Sequence, residues 1–260
     1  MTSLPISVVM ISAAEAGRIR RALESVAGWT AEIIVVLNAE VEDGTDGIAR
    51  QFGAKVFREA WKGFTAQKSS AAAKATADWI LDLDADEEVS RGLQDEIGRV
   101  FSDPSALANY SAFSYPRLSW YCGRWIRHGD WYPDRQTRLW RRGHAKWGGI
   151  DPHAKLLVNG RVGRLHGDLY HYSFESINRQ LRKIAPYSDE FVRQRSSALG
   201  RVGLFHLVIH PSWRFFRGYC LRLGFLDGWP GYYIAWLNAF STLTRYAKVK
   251  ERLTAREDRW

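Results

Sequence analysis

The first 81 residues alternate between short apolar runs and segments with helical spacing, and this alternation restricts the fold more than any other feature of the sequence. Continuous apolar, β-branched runs are typical of strands buried on both faces of a parallel sheet. They are Ile6–Ile11, Glu32–Leu37, Ala54–Phe57 and Trp79–Leu81. Between them, helical spacing begins near Ile19, Ile48 and Ala66. Strands that alternate with helices predict an α/β fold, in which an open, mostly parallel sheet carries helices on both faces.

Polar side chains follow three of these strands at the point where each strand ends. Ser12 follows the first strand, Asn38 the second, and the acidic segment Asp82–Glu88 the last. In parallel α/β sheets, ligands bind beyond the carboxyl ends of the strands. The three loops therefore predict one binding site at a single edge of the sheet.

The acidic segment carries five carboxylates within seven residues. An extended chain would project Asp82, Asp84 and Asp86 to the same side, where they repel one another unless a cation or hydrogen-bond donors compensate them. Mg²⁺ and Mn²⁺ favour such oxygen ligands, and they typically bind one or two carboxylates together with the phosphates of a substrate. The segment therefore predicts a divalent metal site.

Two other interpretations apply to the acidic segment. A calcium loop requires Gly and Glu at positions that Glu87 and Leu93 occupy here, so we exclude it. A solvated acidic turn before a helix that begins near Ser90 accounts for the same residues, because helix N-termini favour negative charge. This motif alone does not decide between the metal site and the solvated turn.

The periodic pattern changes after Pro104. Short strand-like segments among Gly, Pro and aromatic residues cover 110–172 and predict an antiparallel extension that forms one wall of the site. From Ser176 the spacing of apolar residues becomes helical. We therefore predict a first domain over residues 1–175 and a helical C-terminal extension over residues 176–260.

The predicted extension is basic and rich in aromatic residues. Between residues 193 and 260 there are 12 Lys or Arg against four acids, which accounts for +8 of the net charge of +9. Neither Val202–Ile209 nor Leu221–Phe240 predicts a spanning helix, because the first is too short and the second contains Arg222, Asp227 and Pro230. Aromatic residues mixed with cations predict a helix in a membrane interface, although two helices that close the core fit the same pattern.

Missing motifs exclude several classes of protein. No Gly-x-Gly-x-x-Gly follows the first strand and no phosphate loop with Gly-Lys-Ser/Thr is present, which argues against nicotinamide enzymes and ATPases. Two cysteines are too few for a disulfide framework or a four-ligand zinc site. Four histidines lack supporting Cys or Glu, so we expect surface or structurally satisfied residues instead of metal ligands. They are His166, His171, His206 and His210.

A carboxylate pair at the end of a central strand, with Gln67 and Lys68 on the preceding helix, suits a metal that bridges the phosphates of a nucleotide during glycosyl transfer. Fourteen segments together resemble glycosyltransferase family 2, and more narrowly its bacterial branch that builds lipopolysaccharide core. They are Ile6–Ile11, Glu32–Val36, Asp43–Thr45, Phe52–Val56, Gly63–Lys68, Leu83–Glu87, Gly123–Gly129, Trp131–Asp134, Arg138–Arg142, Trp147–Gly149, Asp151–His153, His171–Ser173, Phe215–Tyr219 and Gly224–Gly228. The resemblance covers nearly the whole chain.

This resemblance implies a nucleotide-diphosphosugar transferase fold of the A type, an inverting mechanism and a Mg²⁺ or Mn²⁺ cofactor. Asp84 would lie near the ribose and diphosphate, and Asp84 and Asp86 would bind the metal. The other implied nucleotide-binding residues are Ser12, Glu15, Asn38, Gln67 and Lys68. Taken alone, Glu15 is also typical of a helix N-terminus, and Lys68 of a solvated helix residue.

Two positions depart from the family pattern. The second strand usually ends in Asp, whereas Asn38 offers both a donor and an acceptor to a nucleobase, so a preference for uracil is less secure. Related proteins commonly carry an acid directly after His153, and this chain has Ala154. The general base would therefore be Asp151, His153 or Asp134, and Asp151 before a proline is also typical of a turn.

The resemblance predicts an inverting, metal-dependent hexosyltransferase that moves a sugar from a nucleotide-diphosphosugar, in the first place a UDP-hexose, to a lipid-linked saccharide such as lipopolysaccharide core. The absence of a secretory-signal pattern predicts a cytoplasmic protein, and the basic extension predicts attachment to the cytoplasmic face of the inner membrane. We expect no nucleic-acid partner. The alternative is a non-catalytic member of the same fold that binds sugar nucleotides or glycolipids, and Asn38 and Ala154 motivate it.

Overall fold

The computed structural model describes residues 3–149, 151, 154–173, 176–195 and 201–257. The strands are β1 (Leu4–Ser12), β2 (Thr30–Asn38), β3 (Lys55–Glu59), β4 (Trp79–Asp82), β5 (Glu87–Val89), β6 (Ala112–Tyr121), β7 (Arg124–Ile126), β8 (Asp134–Arg141), β9 (Ala145–Gly148), β10 (Lys155–Val158), β11 (Val162–Arg164) and β12 (Leu169–His171). The helices are α1 (Ile19–Val26), α2 (Thr45–Gln51), α3 (Phe64–Ala73), α4 (Arg91–Phe101), α5 (Pro104–Asn109), α6 (Ile177–Arg195), α7 (His210–Phe216) and α8 (Gly228–Glu257).

Ten strands form one mixed sheet in the order β3-β2-β1-β4-β8-β6-β12-β5, and β7 and β11 pair with β6. The first four strands are parallel to one another, as the alternation of strands and helices predicts. β8 then pairs antiparallel with β4, and β6 pairs antiparallel with β8. The predicted α/β fold is confirmed. Beyond β4, most strands of the sheet follow Pro104 in the sequence, whereas β5 precedes it, and β11 pairs parallel with β6.

Helices cover both faces of the central parallel strands β1, β2 and β4, so these strands need apolar residues on both sides, whereas the edge strand β3 is mostly exposed. Ile19 and Leu23 of α1 and Leu93 of α4 pack in the core on one face. Ala71 of α3 and Trp140 of β8 belong to the core on the other face. Burial on both faces explains why the first two strands are continuous apolar runs and do not alternate.

The chain divides into two compact units. The first runs to Arg117 and resumes over Asp134–His171, and the second comprises Leu118–Pro133 and the chain from Tyr172 onward. Within the second unit, α6, α7 and α8 follow one another, with π-helical segments at Phe205–Ile209 and Arg217–Leu221. The predicted helical C-terminal extension is confirmed, whereas the boundary after residue 175 stays a prediction.

Glu32 joins three elements of the first unit through its carboxylate. It accepts hydrogen bonds from Ser7 Oγ at 2.6 Å, from the backbone N–H and Oγ1 of Thr76 at 2.7 Å, and from Lys55 Nζ at 2.8 Å. Burial raises the pKa of Glu32, but the hydrogen bonds from Lys55, Ser7 and Thr76 outweigh it and lower the pKa from 4.5 to about 2. The ionised carboxylate therefore stabilises the folded state.

We expect Glu32→Gln to lower the free energy of unfolding by about 1–3 kcal/mol at neutral pH. Because the folded-state pKa lies below the unfolded value, this contribution is complete above pH 4.5 and disappears as the pH falls toward about 2. Urea unfolding at several pH values measures it, with the exposed Glu24→Gln as control. Equal stability of Glu32→Gln and wild type at neutral pH would contradict the assignment.

Candidate active site

The carboxyl ends of the central parallel strands meet at one edge of the sheet. In the register of β1, Val9 pairs with Asp82 of β4, and Ser12 pairs with Leu37 of β2, one residue before Asn38. The loops that follow these strands therefore begin side by side, as the sequence predicts.

At this edge, two cations bridge the first two carboxylates of the acidic segment. Lys68 Nζ of α3 lies 2.5 Å from Asp82 Oδ1 and 2.7 Å from Asp84 Oδ1. Arg138 of β8 donates to Asp82 Oδ1 and, at 2.9 Å, to Asp84 Oδ2. Because the side chains of Asp82 and Lys68 are almost wholly buried, the solvated interpretations of the acidic turn and of Lys68 do not apply to these two residues.

This ion-paired arrangement keeps its groups charged. Burial raises the pKa of Asp84, but Arg138 and Lys68 outweigh it, so the pKa of that carboxyl lies well below its ordinary value. Burial lowers the pKa of Arg138, but the facing carboxylates of Asp84, Glu87 and Asp82 have the larger effect. The pKa of Arg138 is therefore raised. The ring of Trp147 covers both cations, with Lys68 Nζ 4.9 Å and Arg138 Cζ 5.7 Å from its centroid.

The charged network continues into the antiparallel strands through Arg117 of β6. Arg117 Nη1 lies 3.1 Å from Glu87 Oε1, while its Nε and Nη2 donate to Asp134 Oδ2 at 2.9 and 2.7 Å. Gln136 Nε2 donates to Asp134 Oδ1 at 2.7 Å. The buried Glu87 also accepts the backbone N–H of Asp84 at 3.0 Å, which holds the acidic turn in place.

The shortest ion pair of Asp86 is longer than the shortest ion pairs of Asp82, Asp84 and Glu87. Its Oδ2 lies 4.0 Å from Arg18 Nη1 and 3.7 Å from His171 Nε2, and its side chain is 25% exposed. Burial raises the pKa of Asp86, and the neighbouring Asp84 carboxylate raises it further. A bound cation would stabilise the ionised carboxylate of Asp86.

His171, which sequence analysis set aside with the other histidines, lies in the site. β12 pairs with β5 so that His171 is opposite Glu87. Burial lowers the pKa of His171, and the charge of Arg117 contributes, so that the pKa falls from 6.5 to about 4. The imidazole is therefore neutral at physiological pH, the form that binds metals. Its buried Nδ1 has no hydrogen-bond partner among the residues that the structure describes.

Asp151 lies at the N-terminus of α3. It accepts hydrogen bonds from the backbone N–H and Oγ1 of Thr65, at 2.9 and 2.8 Å, and these bonds lower its pKa. Gly63, at φ +91°, allows this approach, because a Cβ there would lie 2.1 Å from Asp151 Oδ2. The same carboxylate thus caps a helix. The predicted catalytic residue His153 lies outside the described residues.

The remaining predicted nucleotide-binding residues are Gln67 in α3, Ser12 and Asn38 at strand ends, and Glu15 on the loop after β1. Gln67 is 1% exposed, and neither atom of its amide group has a hydrogen-bond partner within the described part of the chain. Ser12 is buried at the end of β1, and Asn38 is half-buried at the end of β2. Glu15 lies 2.5 Å from Arg18, which links it to Asp86.

Comparison with known proteins agrees with this geometry. The family model described as "Glycosyl transferase family 2" matches residues 7–158. A protein named "Uncharacterized glycosyltransferase" from Rickettsia felis is 33% identical over 263 residues, which span 95% of this chain and 90% of that protein. The chain belongs to glycosyltransferase family 2.

A more distant relative and a solved structure with a similar fold carry more specific names. "Lipopolysaccharide core biosynthesis glycosyltransferase LpsC" of Rhizobium meliloti is 24% identical over 263 residues, 94% of each protein. The crystal structure of S. aureus TarS in complex with UDP-GlcNAc superposes with a TM-score of 0.50 at 11% identity, over 99% of this chain and 93% of that one. This structural similarity confirms the expected A-type fold.

Ion pairs involve five of the ten predicted site residues of this glycosyltransferase and add some that sequence analysis missed. One ion-paired group contains Lys68, Asp84 and Asp134, joined through Arg138, Glu87 and Arg117, and a second contains Glu15 and Asp86, joined through Arg18. The missed members are Arg117, Arg138 and His171. Arg138 belongs to the segment Arg138–Arg142 that resembles the family. A single Arg in a strand, however, does not indicate that its side chain pairs with a carboxylate 54 residues earlier in the sequence.

We expect Arg138→Met to lower the free energy of unfolding by about 3–5 kcal/mol, because it leaves the buried Asp82 and the half-buried Asp84 with Lys68 as their remaining close cation. The exposed Arg142→Met, in the same region, is the matched control. Thermal and urea unfolding of both variants measure the difference. Equal stability of the two variants would show that the ion pairs contribute nothing net.

Proposed function

We propose that this glycosyltransferase is an inverting, metal-dependent hexosyltransferase that uses a nucleotide-diphosphosugar donor, in the first place a UDP-hexose. The observation that carries the proposal is the cluster of Asp84, Asp86 and His171 beside buried cations, at the carboxyl edge of the parallel strands. The name of the Rhizobium meliloti relative supports the class of acceptor, and the complex of TarS with UDP-GlcNAc supports the class of donor.

The residues present fit a divalent cation. Among the described residues, no three His, Cys, Asp or Glu are grouped as a complete metal cage. A nucleotide site needs less, since Mg²⁺ is held by one or two carboxylates together with substrate phosphates. Asp86, with its raised pKa, and the neutral imidazole of His171 would hold the ion, with Asp84 beside them. When bound, Mg²⁺ or Mn²⁺ stabilises the negative charge of the departing diphosphate.

The chain's own residues would bind the nucleotide. The buried amide of Gln67 offers two donors and an acceptor that the described residues leave unused, and such a group favours a hydrogen-bonding ligand or water. Asn38 would receive the base at the end of β2, with Ser12 at the end of the neighbouring β1 and Glu15 on the loop that follows it. Lys68 is held between Asp82 and Asp84, so we infer that it positions the acidic turn.

Asp134 is the candidate base that the network supports best. Its carboxylate, 39% exposed, is oriented by Arg117 and Gln136. Asp151 is a weaker candidate because its carboxylate caps the N-terminus of α3 through the backbone N–H and Oγ1 of Thr65. We therefore propose that Asp134 accepts the proton of the acceptor hydroxyl, with His153 and Asp151 as the alternatives.

The acceptor would be a lipid-linked saccharide, such as lipopolysaccharide core, at the cytoplasmic face of the inner membrane. In the described ranges, no helix combines the length and the apolar character that crossing a bilayer requires. The second unit exposes large aromatic side chains, with Trp213 54%, Trp229 60% and Trp236 52% exposed, and Trp213 is followed by Arg214. Such a surface suits the membrane interface.

Binding and transfer are tested separately. Calorimetry with UDP and Mn²⁺ is expected to show binding that weakens when EDTA replaces the metal, and Gln67→Ala is expected to weaken it while the exposed Gln51→Ala does not. Transfer from UDP-hexoses is then measured on lipopolysaccharide core acceptors. No binding of UDP with or without metal would overturn the proposal. Binding without donor hydrolysis or transfer would favour the non-catalytic alternative, which Ala154 motivates.

A further inference from the structure

Three arginines surround one buried acid in the second unit. Asp130, with its side chain 3% exposed, lies 2.6 Å from Arg217 Nη1, 3.2 Å from Arg214 Nε and 3.2 Å from Arg222 Nη1. We call Arg214, Arg217 and Arg222 the arginine cluster. One carboxylate cannot neutralise three guanidinium groups, so the site carries an excess charge of about +2.

Most of the donors in the arginine cluster are left for another ligand. Only Arg217 donates a hydrogen bond to Asp130 within the part of the chain that the structure describes, and Asp130 Oδ2 accepts none there. Arg214 and Arg222 are at ion-pair distance, and their side chains are 41% and 45% exposed. Each guanidinium has five N–H donors in a planar fork, the geometry that binds phosphate oxygens in pairs.

Other charges nearby do not neutralise the cluster. Burial lowers the pKa of Arg245, and the like charge of Arg214 lowers it further, so a fourth cation lies close to the cluster. The buried Asp227 already contacts His128. The backbone N–H of His128 lies 2.8 Å from one carboxylate oxygen of Asp227, and Nδ1 of His128 lies 3.0 Å from the other. The positive charge therefore remains available to an anion.

The backbone around the cluster is closely packed, so the arginines start from defined positions. Gly129 N–H donates to the carbonyl of Arg222 at 2.8 Å. A Cβ on Gly218 would lie 3.3 Å from Asp130 Oδ2, and a Cβ on Gly231 would lie 1.9 Å from the carbonyl oxygen of Gly224. A preorganised site loses less conformational entropy when it binds a ligand.

Apolar side chains next to the cluster indicate where the anion resides. Trp213 and Phe216, next to Arg214 and Arg217 in the sequence, are 54% and 46% exposed. Leu221 and Leu223, on either side of Arg222, are 56% and 46% exposed. Aliphatic side chains do not stack on nucleobases, whereas aromatic and aliphatic residues beside arginines are typical of helices in a lipid interface.

We propose that the arginine cluster binds the phosphate group of a membrane phospholipid, while the flanking apolar side chains enter the headgroup region. This deepens the proposed function, because it specifies how the second unit recognises the membrane. The test uses sedimentation of the full chain with vesicles of phosphatidylcholine alone or mixed with phosphatidylglycerol. Wild type is expected to sediment with the mixed vesicles and much less with phosphatidylcholine.

The decisive variant is Arg214→Gln with Arg222→Gln, which leaves Arg217 bound to Asp130 and so protects the fold. We expect its affinity for the mixed vesicles to fall about 30-fold, since each Arg near an anionic surface contributes about a factor of five. Lys250→Gln with Arg252→Gln removes the same charge from exposed positions of α8 and is expected to lower the affinity for the mixed vesicles less. Replacement of Arg214 and Arg222 by Lys keeps the charge, and the loss of paired hydrogen bonds is expected to weaken binding several-fold.

Each contrary outcome overturns the proposal. Equal losses in the two Gln pairs would indicate net charge alone, and full binding of the Lys pair would indicate that guanidinium geometry is irrelevant. Binding of inorganic phosphate without vesicle binding would assign the cluster to free phosphate, and loss of oligonucleotide binding alone would assign it to nucleic acid. Sedimentation needs neither donor nor acceptor, so a chain that binds vesicles but transfers no sugar contradicts only the proposed transferase.

Discussion

Asp86→Asn is expected to lower the turnover of sugar transfer about a thousandfold, because it removes the carboxylate that we propose holds the metal beside the departing diphosphate. The substitution preserves shape and removes one charge. Burial and Asp84 raise the pKa of Asp86, so its ionised form is disfavoured in the fold and the variant is expected to be as stable as wild type at neutral pH. Loss of activity would therefore not reflect unfolding.

The measurement for Asp86 is turnover at saturating donor over a titration with Mn²⁺. Asp95→Asn, on the exposed side of α4, is the matched control and is expected to retain full activity. His171→Ala is expected to raise the Mn²⁺ concentration needed for half-maximal activity. Full turnover in Asp86→Asn would reject the proposed metal role.

Asp134→Asn is expected to lower turnover by about 10²–10⁴-fold, because an amide cannot accept the proton of the acceptor hydroxyl. The binding of UDP with Mn²⁺ is expected to change little. Turnover at saturating donor and calorimetry of UDP binding measure the two effects.

Asp151→Asn and His153→Asn are the comparisons for Asp134. Asp151→Asn is expected to lower stability at the N-terminus of α3, where Thr65 binds the carboxylate, and to affect turnover less than Asp134→Asn. A larger loss of turnover in His153→Asn, with Asp134→Asn nearly as active as wild type, would assign the base to His153.

The sequence predicts the first half of the fold well because its signals are local. The apolar run predicted at Ile6–Ile11 becomes β1, and the run at Glu32–Leu37 becomes β2. The helix predicted near Ser90 begins there, with Ser90 Oγ accepting the backbone N–H of Leu93 at 3.2 Å. Such patterns depend on residues a few positions apart, so they can be identified in one sequence.

The second unit was less predictable. Residues 118–133 group with the chain from Tyr172 onward, so that Asp130 meets Arg214, Arg217 and Arg222 more than 80 residues later. Composition alone indicated a basic, aromatic surface. It did not indicate that the buried Asp130 forms ion pairs with three arginines of that surface.

The sequence by itself determined the alternation of strands and helices, the edge where the loops meet, and the position of the acidic segment on it. Only the tertiary structure decided which cations face those carboxylates. Lys68, Arg138 and Arg117 compensate Asp82, Asp84 and Glu87, and Asp86 is left beside His171. The physical reason is that hydrophobic periodicity is a local property of the chain, whereas ion pairing in a buried site depends on strands that return to the sheet from distant positions.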